Sequence, residues 1–467
     1  MPYDVLPKAD VETIHQTSMR LLVNVGVVFP HEEALAAFRR HGAKVDGQRV
    51  YLTESQVMEA LKTVPAQFTI AARNPQRSVI VGGESVFAPG YGAPFLVDAE
   101  TGKRAPTLAD YHSLVKLAHA LPNQDVSGHL LVEPSDVPAA TAHLHMLYAH
   151  LIHSDKPFVG SAAGKAGARQ TMEMASLVFG GDLRQQPVTI SLINSLTPLA
   201  YSVEMLEALL EYIRWRQPVI IAALAMAGST APVTLAGMMA MQNAELLAGI
   251  VLTQWMSPGM PVVFGSTSTN IDMKSGALAI GSPELSQMIA AHAQLARFYG
   301  LPSRSGGALT DASYPDAQAG FESMQGLLTT VNSGISFVLH AAGILNSYLA
   351  FSYEKFVMDD EMCGMVRHFG RGFAVTPETL AYDTVIAVGP GKNFLVEEHT
   401  VKHCRKAFWK PALCDRRGLE AWEQGGRQDA VVRARRRWQK LVAEHQDPAL
   451  EPTAARQLQD YLQQHIS

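Results

Sequence analysis

The stretch LPSRSGGALTDASYPDAQAGFESMQGLLTTVNSGISFVLHAAGILN, residues 301–346, decides the fold. Residues 301–307 are a short extended run closing on Gly306-Gly307 and read as a strand. Residues 308–314 form a polar loop that carries Thr310 and Asp311. Pro315 has the fixed φ of a first helical turn and Asp316 complements the positive end of a helix dipole, so a helix is predicted over 315–332. Ala317, Phe321, Met324, Leu328 and Val331 fall at helical spacing on one face of it. Residues 335–339 are a second strand, stopped by His340 and the small residues that follow. Strand, loop, amphipathic helix, strand is a βαβ unit, with its reactive side chains just after the strands.

The same unit repeats along the chain. Strands are predicted at 85–89, 125–132, 157–161, 187–193, 218–225, 261–266, 302–306 and 335–339. Helices are predicted between and after them at 107–121, 136–153, 167–180, 200–214, 232–256, 283–299, 315–332 and 353–369. Proline introduces several strands, where its missing N–H does no harm. Runs such as 188–193 are apolar throughout, the pattern of a parallel sheet covered on both faces. Eight strands alternating with eight helices predict an α/β fold, a (β/α)8 TIM barrel over residues 85–375. An open doubly wound sheet would carry a Gly-rich phosphate turn after an early strand, and Gly160-Ser161-Ala162-Ala163-Gly164 matches one only weakly.

Residues 1–84 read as an N-terminal α+β segment: helices at 8–25 and 31–41, a hairpin around Asp46-Gly47, a capping box from Thr53 to Gln56, and a strand at 67–72. No cluster of reactive residues falls in it. Residues 376–467 form a C-terminal extension, irregular over 382–391 and then helical at 418–425, 428–444 and 453–465. Arg433, Arg435, Arg436 and Arg437 read as a solvated helix face, with a contact to an acidic partner protein as the sharper alternative.

Composition narrows the function. The chain has 467 residues, 47% of them apolar, and a formal charge of −5 with no basic run interleaved with aromatics, so nucleic acid is not an expected partner. The longest apolar run, 219–227, is too short to cross a bilayer, and the chain opens on no signal peptide pattern. Three cysteines, Cys363, Cys404 and Cys414, form neither a disulfide framework nor a paired zinc motif. A cytoplasmic protein, off the membrane and assembled from several identical chains, is expected.

In a barrel the active site is built from loops at the carboxyl ends of the strands. Those loops carry Tyr91 and Phe95, Glu133, Asn194, the Arg304 strand with Gly306-Gly307, Asp311, His340, Tyr348 and Tyr353. They are rich in aromatics and hydroxyls and poor in paired metal ligands, so no metal site is expected there. Each candidate also has a plainer reading: Tyr91 and Phe95 as plugs, Glu133 as a helix cap, Asp311 as the anchor of an Asx-turn, His340 as a hydrogen-bonded core histidine. Gln318, Glu322 and Gln325 read as the wet stripe of an outer helix. His399 and His403 have i, i+4 spacing but no carboxylate between them.

Gly307-Ala308-Leu309-Thr310-Asp311-Ala312 followed by Asp316-Ala317-Gln318-Ala319-Gly320-Phe321-Glu322 resembles the trimethylamine methyltransferase superfamily. So do Pro89-Gly90-Tyr91-Gly92-Ala93-Pro94, Phe351-Ser352-Tyr353-Glu354, Asp359-Asp360-Glu361, Val388-Gly389-Pro390-Gly391 and His399-Thr400. The likeness runs from about residue 10 to 445 and implies a (β/α)8 barrel. It implies transfer of a methyl group from a methylated amine to cobalt on a separate corrinoid protein. With no pyrrolysine in the chain, it points to the branch acting on quaternary amines such as glycine betaine. The chain has no Asp-x-His-x-x-Gly ligand loop, so no cofactor of its own is expected and the corrinoid (cobalamin) arrives on the partner.

Such a reaction needs a held cation, an aligned methyl group and exclusion of water. Cation–π contacts are worth about 0.5–2 kcal/mol each, and Tyr91, Phe95, Tyr348 and Tyr353 are the candidate cage. Asp311 or Glu133 would add a counter-charge, and with His340 they are the candidate catalytic groups. A carboxylate on the substrate would meet Arg304, the Gly306-Gly307 amides or His340, with Asn194 as a further contact. A metal-dependent barrel hydrolase or lyase, and a betaine-binding barrel without turnover, stay open at this level.

Overall fold

The computed structural model describes residues 2–466. Seven parallel strands curl into one sheet: β1 (Val86–Ala88), β2 (Phe158–Gly160), β3 (Thr189–Asn194), β4 (Val219–Ala223), β5 (Val262–Ser266), β6 (Ser303–Ser305) and β7 (Phe337–Leu339). They lie in chain order, and β7 pairs with β1. Residues 125–128 fill the space between β1 and β2. Asp125 N donates to Phe87 O at 2.8 Å, Ser127 N to Pro157 O at 2.9 Å, and Val159 N to Gly128 O at 2.9 Å. The ring is thus closed by eight staves, but the strand predicted at 125–132 is not a regular one. Gly128, at φ 93°, turns the chain out of line, and Leu131 N folds back on His129 O.

Alternate residues of the staves fill the lumen. Val86, Ala88, Val126, Val159, Ile190, Leu192, Ile220, Ala222, Val263, Phe337 and Leu339 form one buried cluster. An antiparallel hairpin, Phe68–Ile70 with Val79–Val81, adds Ile70, Val79 and Val81 to it and plugs the amino-terminal end of the ring. Each such side chain contributes about 1.5–3 kcal/mol by leaving water. The outer layer is eight helices: α1 (Leu108–Ala120), α2 (Ala139–His153), α3 (Gly164–Phe179), α4 (Val203–Arg214), α5 (Leu235–Met256), α6 (Pro283–Tyr299), α7 (Ala317–Asn332) and α8 (Tyr353–Arg371).

Three of these helices bear on the site. α5 is long and apolar enough to cross a membrane by length and composition, but 83% of that stretch is buried in the protein. Three N-terminal helices cover it, with Leu22, Phe38 and Val57 in the same core as Leu246 and Ile250. α7 starts two residues later than predicted, with Asp316 as its cap accepting from Ala319 N at 3.1 Å. Its buried face is Ala319, Ser323, Gly326, Leu327 and Thr330, and Phe321 is 64% exposed. Closeness is the reason: a Cβ on Gly326 would stand 2.4 Å from the Gly307 carbonyl oxygen, so small residues face the sheet.

α8 ties the loops together through three consecutive acids. Asp359 accepts from Gly343 N at 2.7 Å and from the buried Lys355 at 2.6 Å, and Lys355 also donates to Ala308 O at 3.1 Å. Asp360 accepts from Asn123 N, and Glu361 accepts from the backbone N–H groups of Ala412, Leu413 and Cys414. The C-terminal extension is therefore pinned at 412–414. Tyr382–Val388, predicted irregular, is a short helix; Val385 and Ile386 are exposed, so no buried face marked it in the sequence. The basic run is not simply solvated. Arg433 donates to Leu413 O and Arg435 to Glu354, which is fully buried.

Buried histidines make the fold sensitive to acid. His150 bonds Ser127 and Tyr111, and His292 bonds Phe264 O. Burial pushes their pKa values down to about 3 and about 4. The unfolded chain, with histidine pKa near 6.5, binds more protons than the folded one once pH falls below that value. Stability is full above pH 6.5 and lost toward pH 4, at about 1.4 kcal/mol per pH unit for each such histidine. Urea midpoints should be level from pH 8 to 7 and fall steadily from 6.5 to 5; a level midpoint down to pH 5 contradicts this.

Candidate functional site

Arg304 stands above the apolar cluster of the lumen and is the one charged residue among those lining the cavity there. The strand register sets Asn194, Ala222, Gly265, Arg304 and Phe337 in one row around the ring. Ala222 and Gly265 are the small members of that row and leave room for a long side chain. Arg304 is 2% exposed. Its guanidinium reaches Thr267 Oγ1 at 3.5 Å and His340 Nδ1 at 3.2 Å, and its Nε has no partner. Burial lowers its pKa to about 10, which leaves it charged at neutral pH, and no carboxylate pairs with it among the described residues. A buried cation without a counter-ion costs several kcal/mol. The place is complementary to an anion.

His340 ends β7 in a left-handed conformation, φ 68°. A guanidinium only donates, so Nδ1 accepts from Arg304, and Nε2–H donates to Tyr91 O at 3.2 Å. Burial, and then Arg304, hold its pKa well below the usual histidine range, and the ring is neutral. With both nitrogens in use it orients the guanidinium.

The next turn is strained. Asn346, Ser347 and Tyr348 all have positive φ, at 49°, 52° and 74°. Each costs roughly 1–2 kcal/mol for an L residue, so the surroundings must fix the turn. Asn346 N donates to Ala312 O at 2.9 Å, Ser347 N to Thr310 O at 3.2 Å, and Ser347 Oγ to Asp311 at 2.7 Å. Asp311 also accepts from Ile280 N at 2.8 Å and Gly281 N at 3.0 Å. Glu322 holds Asp311 in turn, accepting from its N–H at 2.9 Å and from Thr310 Oγ1. Glu322 is a brace, not part of a wet stripe. The web presents Tyr348, whose ring lies 4.9 Å from that of His340.

These groups line a cavity of 190 Å³ at the carboxyl ends of the strands, made by Tyr91, Leu192, Asn194, Leu224, Thr267, Arg304, His340 and Tyr348. Tyr91 is partly exposed above it, its phenol pushed up to about 12 by burial. A larger groove of 530 Å³ lies outside the ring, between the N-terminal residues and α5 and α6.

Five residues singled out in the sequence meet in the cavity: Tyr91, Asn194, Arg304, His340 and Tyr348. The others lie elsewhere. Phe95 sits under the Lys103 ammonium at 3.7 Å. Tyr353 stacks on Trp438 at 4.4 Å and donates to Asp110. Glu133 is exposed outside the cavity lining. Gly306 and Gly307 are buried beneath α7, where Thr330 Oγ1 donates to Gly306 O at 2.7 Å. Asp311 acts on the cavity through the 346–348 turn. Leu192, Leu224 and Thr267 were not singled out. Thr267 stood among many hydroxyls in one loop, and the two leucines read as ordinary core.

The trimethylamine methyltransferase (MTTB) family matches residues 1–466. The glycine betaine methyltransferase of Desulfitobacterium hafniense (strain Y51) is 48% identical over 465 residues, 99% of this chain and 97% of that protein. The proline betaine:corrinoid methyltransferase of Eubacterium limosum is 35% identical, covering 87% of this chain and 86% of its own. The trimethylamine methyltransferase MttB2 of Methanosarcina mazei is 31% identical, covering 96% and 92%. Among solved structures, the monomethylamine methyltransferase MtmB of Methanosarcina barkeri superposes with a TM-score of 0.55 over 94% of this chain and 89% of its own. Identity there is 13%, so that likeness speaks for the barrel alone. The chain belongs to the trimethylamine methyltransferase family, on its side without pyrrolysine, where the glycine betaine enzyme stands.

Proposed function

We propose that the protein moves a methyl group from a carboxylate-bearing quaternary amine, glycine betaine first, to Co(I) of a separate corrinoid protein. The observation that carries this reading is the buried guanidinium of Arg304 with an unpartnered Nε. A betaine carboxylate completes it with charge-assisted hydrogen bonds. The trimethylammonium end then meets the faces of Tyr91 and Tyr348 and the walls of Leu192 and Leu224. A cavity of 190 Å³ is below the usual range for ligand pockets and favours glycine betaine over the larger proline betaine or carnitine.

The chemistry asks little of acids and bases. The N–CH₃ bond breaks with its electron pair left on nitrogen, the methyl carbon gains its new bond from the Co(I) electron pair, and dimethylglycine leaves as a neutral amine. No proton moves, which suits a neutral His340 with both nitrogens engaged. The chain's own residues bind, aim one methyl group outward and keep water out.

Methylation of Co(I) cobalamin, followed for glycine betaine and for choline, tests this. Glycine betaine should be the far better donor. Arg304→Gln should lower its kcat/KM by roughly 10–150-fold, the 1.5–3 kcal/mol of a hydrogen bond to a charged group, and should change choline little. Equal turnover of glycine betaine by the variant contradicts the reading.

The mouth of the barrel supports a protein partner. Leu196, Leu224, Val233, Met273, Tyr314 and Leu349, on five successive strand-end loops, are 38–71% exposed. An apolar rim of this kind suits docking of a corrinoid protein. Leu196→Asp with Met273→Asp should slow methyl transfer to the protein-bound corrinoid and leave glycine betaine binding intact; an unchanged transfer rate speaks against this face.

Self-association is a further part of the reading. Residues 372–411 form an arm with Phe373, Tyr382, Ile386, Leu395, Val396 and Phe408 exposed by 62–91%. A second copy, bringing the same arm, covers these side chains symmetrically. Mass photometry should give an assembly of several chains, reduced to one by Phe373→Asp with Leu395→Asp; a wild-type monomer refutes it. Three free cysteines fit the reducing cytoplasm in which we place the reaction.

A further inference from the structure

A cluster of imidazoles and a carboxylate lies at the other end of the barrel. α2 ends at His153 and leads into the start of β2, so this is the amino-terminal face of the ring, away from the cavity. The link between two C-terminal helices, Ala430–Ala443 and Pro452–Ile466, crosses there and brings His445 and Asp447. Asp447 Oδ1 is 2.5 Å from His153 Nδ1 and 3.0 Å from His445 Nε2. The three donor atoms lie within 4.8 Å of one another. His153 and His445 side chains are 8% and 3% exposed, and Asp447 is 53% exposed.

We infer that His153, His445 and Asp447 bind a divalent transition cation, zinc by preference, which staples the C-terminal helices to the barrel. Two imidazoles and one carboxylate are the donor set of zinc rather than of calcium or magnesium. Zinc bonds of about 2.0–2.1 Å set tetrahedral donors about 3.3 Å apart, and the two Asp447 contacts, at 2.5 and 3.0 Å, need to lengthen by less than about 1 Å to meet that spacing. The ion replaces the protons now shared by the three groups. The second ring nitrogen of His153 lies 2.7 Å from His112 Nδ1. A metal-bound His153 thus has a ready acceptor for its remaining N–H, the usual outer support of a metal ligand. The open side at Asp447 leaves a fourth position for water. The cluster sits in the link between two anchored helices: Arg435 donates to Glu354 on one side of it, and Leu458 and Leu462 pack into the barrel core on the other.

The test uses tag-free, chelator-treated full-length protein, titrated with zinc against a chromophoric competitor, with thermal unfolding read in parallel. Wild type should take up about one zinc per chain and gain Tm on loading. His445→Ala and Asp447→Ala should lose uptake and the Tm gain while still folding. His112→Ala should weaken binding by roughly 10–100-fold, an effect expected only of a supported ligand. Methyl transfer to cobalamin by His445→Ala should match wild type, which separates this staple from a catalytic metal. Absence of uptake by wild type, wild-type affinity in His445→Ala, or loss of methyl transfer with an unchanged Tm would each overturn the inference.

Discussion

A guanidinium held in a barrel lumen without a carboxylate beside it organises the upper half of this protein. Every other group lining its cavity is neutral, and the net effect of burial is to disfavour its charge. Such a group persists because the fold around it is over-determined. β5 and β7 flank its strand, His340 accepts from one nitrogen, and the ring of eight staves does not relax around it. The fold carries the cost of burying this charge, and in the proposed reading an anionic end of the substrate offsets it.

Selectivity and reactivity then follow from one geometry. With the anion at Arg304, as proposed, the cationic end of a short zwitterion has only the aromatic and aliphatic part of the cavity to occupy. Tyr348 belongs to that part, and three residues in left-handed conformation present it. Thr310, Asp311 and Glu322 hold that turn, so Asp311, a candidate catalytic group in the sequence, and Glu322, read there as part of a wet stripe, both brace backbone. Asp359 and Lys355 fix the loops on either side from beneath. The most acidic motifs of the chain thus act on backbone, and chemistry that moves no proton leaves them free to do so.

The barrel was legible because eight apolar runs and eight helical periods alternate without interruption. It became illegible where the local rules changed. Gly128 interrupts a stave that is still hydrogen-bonded on both sides, and α7 presents small residues inward where large ones marked the opposite face. Strand-end position found Tyr91, Asn194, Arg304, His340 and Tyr348. The same criterion also admitted Phe95, Glu133 and Tyr353, because position along a loop does not say which way a side chain turns. Thr267 and the two leucines were hidden by being ordinary. The His153–His445–Asp447 cluster joins residues almost 300 positions apart, and no local spacing foretells it.

The orientation of the bound donor decides the central claim. A crystal structure of the protein with glycine betaine should show a carboxylate oxygen about 3 Å from Arg304 Nε, the ammonium between Tyr91 and Tyr348, and one methyl group facing the mouth. A carboxylate turned to solvent, with Arg304 Nε still unpartnered, would contradict it.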